Sequence, residues 1–409
     1  MDIDTLIHSA VFSSDETEKK QARERIRIIA KEKGIYCASI HELYMGIGQE
    51  KVKGFTVPAI NVRAMTYDTA QVIFQLAREH RIGPFILEIA RSEQGYTEQR
   101  PDEYAIAVLA AAIKSGYTGP VFLQGDHYQF MRSVYAATPE VEVNALKKLI
   151  KESIEAGFYN IDIDASTLVD LAQEKVEDQQ KTNIAMTALL HDYIREIQPP
   201  GVTVSVGGEI GHIGGKNSNV EEFRAFMNGF KQVAKAKGGI SKVSVQTGTS
   251  HGGIPLPDGS IAKVNLDFSV LQTISEAGHK EYKMGGAVQH GASTLPEGLF
   301  NKFPEVRTLE IHLATGFQNI VYDHLPQAVK EKMYDWLKAN CTKERKEGQT
   351  DEQFLYTTRK KATGPFKRDL WKLSNEEKKP IREALSKQFL SLFTKLNVLH
   401  TDSVIKPYV

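Results

Sequence analysis

Short apolar and β-branched runs recur along the chain from residue 55 onward, and segments with helical spacing lie between most of them. The runs predict strands at 55–60, 84–89, 120–124, 159–163, 202–206, 242–246, 282–288 and 308–313. The clearest helices between them are predicted at 67–80, 101–114, 139–156, 182–197 and 220–237. Strands that alternate with helices imply βαβ units and a parallel sheet.

Eight βα units within about 260 residues match the size of a (β/α)8 barrel. An open, doubly wound sheet is the alternative, and it ranks lower because polar residues gather repeatedly where the predicted strands end. We therefore expect an α/β chain with a (β/α)8 TIM barrel over residues 51–325. An N-terminal helical segment is expected over 1–50 and a helical C-terminal extension over 326–409.

The two flanking segments are charged and helical in character. A helix is predicted near 15–33, and the extension predicts helices near 328–340 and 376–396. Within the extension, the basic stretch 359–368 is interpreted as a solvated face. Extensions of this kind commonly serve packing or oligomer contacts, so a homo-oligomer, a dimer or tetramer, is expected.

Composition narrows the class of protein. The 409 residues carry 51 basic and 51 acidic side chains, so neither a nucleic-acid footprint nor binding to a membrane surface is expected. Cys37 and Cys341 form no metal-type pair, which favours a reduced, cytoplasmic setting. The first twenty residues lack the apolar core of a secretion signal. No apolar run is long enough to predict a transmembrane helix.

Histidines follow three of the predicted strands. In a parallel barrel, chemistry collects at the carboxyl ends of the strands. His127, His251 and His290 each lie at such an end, with glycine within two residues. A lone histidine there is more often structural, and the chain has 12 histidines in all. Three in equivalent positions indicate a divalent-metal site with open coordination positions.

Six motifs occur in a characteristic order. They are Pro58-Ala59-Ile60-Asn61-Val62, Ser92 with Gly95-Tyr96, Gly125-Asp126-His127, Glu209-Ile210-Gly211-His212-Ile213-Gly214-Gly215, Gly248-Thr249-Ser250-His251-Gly252 and His290-Gly291-Ala292-Ser293. In this order and spacing, from about residue 55 to 317, the chain resembles the class II, metal-dependent aldolases that act on fructose and tagatose bisphosphates.

The resemblance implies a role for each matched residue. The metal, zinc or another divalent transition ion, would be held by His127, His251 and His290. The catalytic groups would be Asp126, which acts on the C4 hydroxyl, and Glu209. Glu209 would lie at a second or alternative metal position, with Asp164 near it. The substrate, a small ketose or ketose phosphate, would be met by Asn61, Ser92, Gly252, Ser293 and Thr315. The plainer alternatives are that Ser293 and Thr315 cap helices and that Asp126 only orients His127.

Two departures from the family pattern bear on the reaction. Acidic residues typically follow the glycine pair, whereas here Gly215 is followed by Lys216-Asn217-Ser218-Asn219 and acid returns only at Glu221 and Glu222. The last strand normally ends with an asparagine that contacts substrate, and here that position matches His312. The first departure removes a group that an aldolase needs to protonate its enediolate.

Three functions follow from this comparison. Aldol cleavage of the C3–C4 bond comes first. A ketose 4-epimerase, acting on fructose- or tagatose-type sugars with or without phosphate, is close behind, because it can break and re-form C3–C4 without net protonation at C3. It could also move a proton at C4 between Asp126 and Glu209, with His212 and His312 as outside candidates. A non-catalytic partner subunit of an aldolase is third, and the intact metal motifs argue against it.

Overall fold

The computed structural model describes residues 2–211, 216–248 and 266–409, apart from the side chain of Thr294. Its strands are β1 Ile35–Cys37, β2 Val57–Asn61, β3 Ile86–Ala90, β4 Gly119–Gln129, β5 Asn160–Asp164, β6 Ser205–Glu209, β7 Lys242–Val245, β8 Ala287–Gln289 and β9 Glu310–Leu313. Strands β2 to β9 pair in parallel with their sequence neighbours, and β9 pairs back onto β2. The sheet is therefore a closed eight-stranded barrel, which confirms the predicted fold.

The helices are α1 Ile3–Phe12, α2 Glu16–Glu32, α3 His41–Gly48, α4 Thr66–Glu79, α5 Arg91–Tyr96, α6 Pro101–Lys114, α7 Arg132–Ala137, α8 Pro139–Ala156, α9 Val176–Ile197, α10 Val220–Val233, α11 Phe268–Ala277, α12 Lys302–Glu305, α13 Thr315–His324, α14 Gln327–Asn340, α15 Asp351–Thr358, α16 Lys367–Trp371, α17 Asn375–Lys395 and α18 Asp402–Ile405. Helices α6 and α8 begin at a proline, which has no N–H to satisfy in the first turn. None of the described helices is both long and apolar enough to cross a membrane.

The N-terminal segment contains a strand that the sequence analysis did not predict. Strand β1 is only three residues long and pairs in parallel with the start of β4, with Ile35 opposite Gly119. Strand β4 has eleven residues and extends beyond its neighbours in the barrel. The main-chain groups at its start need partners, and β1 supplies them.

The barrel interior carries charged side chains where apolar layers are usual. Lys242 Nζ lies 2.6 Å from a carboxylate oxygen of Glu310 and 3.0 Å from one of Asp162, and it donates to Gln124 Oε1 at 2.7 Å. Tyr44, from α3, also donates to Glu310. All of these side chains are buried. They form a polar network on the barrel axis, beneath the carboxyl ends of the strands.

The C-terminal extension packs on the barrel's outer helices and reaches its mouth. Phe389 of α17 contacts Phe317 of α13, with ring centroids 4.6 Å apart. The basic stretch 359–368 is not simply a solvated face, because Arg359 is buried and its guanidinium lies 5.2 Å from the Tyr322 ring centroid. The sequence analysis overlooked this packing because a run of basic residues carries no periodic apolar signal. The same turn, Arg359–Ala362, brings a lysine to the mouth of the barrel.

Candidate active site

A bulge in β4 aims the predicted acid/base and metal residues. Strands β4 and β5 pair at Gly125 and again at Tyr128, an interval in which β5 advances by only two residues. The extra residue lies in the Asp126-His127 step, and His127 has a φ of 40°, a strained value for a non-glycine residue. A Cβ at Gly125 would overlap the Tyr128 ring. Glycine therefore permits the bulge that turns both side chains toward the barrel mouth.

Carboxylates and a second imidazole surround His127. Its Nδ1 lies 3.1 Å from an oxygen of Asp164 and 3.1 Å from an oxygen of Glu209. Its Nε2 lies 3.9 Å from an oxygen of Asp126, and its ring centroid is 4.1 Å from that of His290. Residues predicted from three separate motifs, together with Asp164, thus lie side by side at the carboxyl ends of β4, β5, β6 and β8.

These side chains make two overlapping sets of metal-ligand atoms that share His127. One set is Asp126, His127 and His290, and the other is His127, Asp164 and Glu209; within each, the ligand atoms lie within 4.8 Å of one another. Imidazole nitrogen with carboxylate oxygen is a donor set suited to zinc and similar ions. The two sets together hold three buried carboxylates around a half-buried histidine, so a divalent cation would offset their charge. The residues present fit a metal.

The titration behaviour of this cluster reflects its surplus of carboxylates. Burial, with repulsion from Asp164, raises the pKa of Glu209 to about 7. Burial also acts to raise the pKa of Asp164, but hydrogen bonds and charge from His127 outweigh it, and the pKa is lowered. For His127, burial lowers the pKa, and Asp126 and Glu209 together raise it well above its ordinary value.

His312 connects the site to the polar network on the barrel axis. Its Nδ1 lies 3.1 Å from an Asp126 oxygen and 3.1 Å from a Glu88 oxygen, while its Nε2 lies 2.6 Å from Glu310. Burial acts to lower the pKa of His312, but Glu88 and Asp126 raise it well above its ordinary value. A cationic His312 therefore places positive charge 3.1 Å from the Asp126 carboxylate.

Most of the predicted site residues share one cavity of about 400 Å³ at the barrel mouth. The predicted residues that line it are Asn61, Ser92, Asp126, His127, His290, Ser293 and Thr315. Asp164 and Glu209 contact His127 without lining this cavity. His251 and Gly252 lie outside the described residues, as does His212. A third histidine ligand and a glycine phosphate contact therefore stay predictions.

The alternative role of Ser293 and Thr315 as helix caps does not agree with the structure. Thr315 is the first residue of α13, whose N-cap is Ala314, and no side chain caps that helix. The Thr315 hydroxyl instead lies 3.4 Å from a guanidinium nitrogen of Arg63. Ser293 Oγ accepts the N–H of Ala314 at 2.5 Å and so ties the loop after β8 to the end of β9. Both side chains face the cavity.

The two acids that follow the glycine pair have different environments. Glu222 is buried and closes a capping box at the start of α10, where it accepts the N–H of Asn219 at 3.2 Å. Lys216 forms an ion pair with it at 2.7 Å. Glu221 is exposed in the same helical turn. Neither acid lines the cavity that holds Asp126.

Several cavity residues escaped the sequence analysis. They are Arg63, Glu88, Arg91, Glu93, Gln129, Met131 and Lys360. Glu88 had a usable signal, because a carboxylate within an apolar strand must have an internal partner. Arg63 lies two residues beyond Asn61 at the end of β2, where barrel chemistry is expected. Lys360 had no such signal, since it reaches the site from the C-terminal extension.

A closed parallel barrel with imidazoles and carboxylates gathered at its strand ends has the architecture of a barrel enzyme. Residues 47–363 match the family model of class II fructose-bisphosphate aldolase, and the chain belongs to that family. The family is metal-dependent in general, in agreement with the donor sets described above. The match extends beyond the expected 55–317 and takes in the turn that carries Lys360.

Solved structures share the fold at low sequence identity. The fructuronate-tagaturonate epimerase UxaE of Cohnella laeviribosi has a TM-score of 0.64 at 12% identity, covering 96% of this chain and 90% of that one. A probable tagatose 6 phosphate kinase from Sinorhizobium meliloti has a TM-score of 0.60 at 14% identity, with coverage of 83% and 100%. The fructose-bisphosphate aldolase of Campylobacter jejuni has a TM-score of 0.53 at 16% identity, with coverage of 90% and 96%. No protein of curated function matches the sequence.

Proposed function

We propose that this protein is a metal-dependent ketose 4-epimerase that breaks and re-forms the C3–C4 bond and so interconverts fructose-type and tagatose-type sugars. The observation that carries this choice is the environment of Glu222. An aldolase must protonate the fragment left after cleavage, and acid returns in the sequence only at Glu221 and Glu222, of which Glu222 is the buried one. That carboxylate is engaged by the α10 cap and by Lys216. A 4-epimerase needs no such acid.

Asp126 is the proton carrier in this proposal. Its carboxylate takes the C4 hydroxyl proton as the C4 oxygen becomes a carbonyl, and the C3–C4 bonding pair passes into a C2–C3 enediolate. The aldehyde fragment rotates about C4–C5 and presents its other face. The same pair re-forms the C3–C4 bond, and Asp126 returns its proton to the C4 oxygen. Protons and electrons balance, and C3 gains none.

The remaining residues position these groups. His127, His290 and the predicted His251 would hold a divalent ion, which when bound would supply Lewis acidity toward the ketose oxygens. His312 Nδ1 lies 3.1 Å from an oxygen of Asp126 and so fixes the position of that carboxylate. Asn61 donates to Glu93 at 2.6 Å, and its buried Oδ1 has no hydrogen-bond partner among the described residues, so it is available to a sugar hydroxyl.

The names of similar proteins support the same reaction class. The Cohnella laeviribosi neighbour is named as an epimerase of fructuronate and tagaturonate. Fructose and tagatose configurations differ at C4, the centre that reversible C3–C4 cleavage scrambles. Aldol cleavage is the second candidate, and the family match favours it. Under that alternative Glu221, exposed at the start of α10, supplies the missing acid.

The deciding experiment is a product analysis with the metal-loaded enzyme. Fructose, fructose 6-phosphate, fructose 1,6-bisphosphate and fructuronate are incubated separately and followed by carbon-13 NMR. The proposal expects the matching tagatose-type sugar without accumulation of triose fragments. Triose products establish the aldolase. Turnover of none of the four substrates rejects both reactions for this sugar series.

A further inference from the structure

One end of the cavity is lined by two cations and a buried phenol that the proposed bond chemistry does not use. Arg63 comes from the loop after β2, Tyr96 ends α5, and Lys360 comes from the Arg359–Ala362 turn of the C-terminal extension. Lys360 Nζ lies 5.7 Å from the centroid of the Tyr96 ring. Three distant parts of the chain thus converge on one side of the barrel mouth.

The charge at this end is positive and only partly offset. Glu93 accepts from Arg63 Nε at 2.6 Å and accounts for the guanidinium charge. Lys360 Nζ has neither a hydrogen bond nor an ion pair within the part of the chain that the structure describes. Burial and the nearby Arg63 lower the pKa of Lys360. A half-buried ammonium beside a guanidinium is costly unless an anion joins them.

The polar atoms left over at this end suit such an anion. The Tyr96 hydroxyl is buried at this end of the cavity, next to Glu93 and Arg63. The Thr315 hydroxyl lies 3.4 Å from Arg63 and faces the same cavity. An ammonium, a guanidinium edge and two hydroxyls can donate together to the oxygens of a carboxylate or a phosphate.

We propose that Arg63, Tyr96 and Lys360 form a subsite for an anionic end group of the sugar, a carboxylate or a phosphate. The inference rests on the proposed function in taking a ketose as the ligand of the cavity. It gives the C-terminal extension a part in substrate recognition, since Lys360 completes the subsite. Neutral ketoses are then poorer ligands than their acidic or phosphorylated counterparts.

The test measures binding, not turnover, on the metal-loaded protein. Isothermal titration calorimetry compares three unreactive six-carbon probes: D-glucitol, D-gluconate and D-glucitol 6-phosphate. The wild-type protein is expected to bind at least one of the two anions about tenfold or more tightly than glucitol, as charge-assisted hydrogen bonds require. A preference for gluconate identifies a carboxylate subsite, and a preference for glucitol 6-phosphate identifies a phosphate subsite.

Lys360→Met is the variant of choice, because removing Arg63 would strand the buried Glu93. It should weaken binding of the preferred anion about 10–100-fold and leave glucitol affinity unchanged. Lys360→Arg should restore most of the loss. The matched control is Lys361→Met, which removes the adjacent lysine that pairs with Glu344 away from the cavity.

Two outcomes overturn the subsite. One is a wild-type protein that binds both anions no better than glucitol, which needs no variant to observe. The other is an anion affinity of Lys360→Met equal to that of Lys361→Met. Because the probes do not react, a failed epimerase assay with intact anion selectivity refutes the reaction and leaves the subsite standing. Epimerase turnover without any preference for the anionic probes supports the reaction and refutes the subsite.

Discussion

Replacing Lys242 by methionine tests whether the charged barrel axis is an integrated network. The lysine is fully buried and contacts Glu310 at 2.6 Å, Gln124 at 2.7 Å and Asp162 at 3.0 Å. Methionine keeps the stem volume and removes the cation, so two buried carboxylates lose their shared partner. Breaking a buried pair in this way costs about 3–5 kcal/mol.

That cost converts to a measurable change in melting temperature. For 409 residues unfolding cooperatively, the unfolding entropy is about 0.9 kcal/mol/K, so Lys242→Met should lower Tm by about 3–6 °C at pH 7.5. Circular dichroism melts and urea titrations measure it. Lys181→Met, at an exposed position of α9, serves as the control and should move Tm by less than about 1 °C.

The destabilisation caused by Lys242→Met should depend on pH in a defined direction. In the wild-type protein burial acts to raise the pKa of Glu310, but Lys242 and His312 outweigh it and hold that pKa at about 2. Its stabilising contribution is complete above its ordinary pKa, near 4.5, and is lost as the pH falls toward 2. Without Lys242 the folded-state pKa of Glu310 rises, so Glu310 takes up a proton more readily and its unpaired buried charge is removed. The difference in free energy of unfolding between wild type and Lys242→Met should therefore become smaller as the pH is lowered from 7.5 to 5.

A second variant separates charge from packing. Lys242→Met combined with Glu310→Gln removes one stranded carboxylate and should regain at least half of the lost stability. Asp162 then protonates readily, because burial raises its pKa to about 6 in spite of Lys242. The reasoning is refuted if Lys242→Met is within about 1 kcal/mol of wild type at pH 7.5, or if the double variant is less stable than the single one.

Four further predictions concern the site. Asp126→Asn should retain metal and fold while turnover falls about 10²–10⁴-fold, and near-normal kcat would show that the carboxylate only orients its neighbour. His127→Ala should lose bound zinc by elemental analysis together with activity, and an active, metal-free protein in excess EDTA would contradict the metal site. Glu222→Ala should cost about 0.5–2 kcal/mol through loss of the α10 capping box with kcat unchanged, whereas loss of turnover without loss of stability would restore its role as the aldolase acid. Gly125→Ala should destabilise the protein by about 1–3 kcal/mol in urea titrations through overlap with Tyr128, and pairing it with Tyr128→Leu should recover part of that loss.

The barrel was predictable because its pattern is local. Each strand is a short apolar run flanked by turn residues, and all eight predicted runs overlap observed strands. At β6 both ends shift by three residues, from the predicted 202–206 to the observed Ser205–Glu209. The strand continues into Gly207 and Gly208 because both are enclosed by neighbouring side chains. Glycine has weak strand propensity, so tertiary packing decided the boundary.

The site was predictable only where sequence order and barrel geometry coincide. Asp126, His127 and His290 follow strands that a closed barrel brings together, and the structure places them in contact. Lys360 could not be placed in this way, since nothing local says that a basic turn in the extension returns to the barrel mouth. His312 was noticed as a departure from a family pattern and as an outside candidate for proton transfer at C4. Its link to Glu310 and Asp126 required coordinates.

The charges on the barrel axis are better understood through the site than through stability. Apolar residues of similar volume would fill the interior at no loss of stability, and often with a gain. The axis instead carries an unbroken chain of contacts from Lys242 to Glu310, from Glu310 to His312 and from His312 to Asp126. Each member limits the position and protonation of the next. The chain ends on Asp126, the carboxylate that the proposed epimerase reaction uses to accept and return a proton, so the network would hold that base in place before substrate arrives.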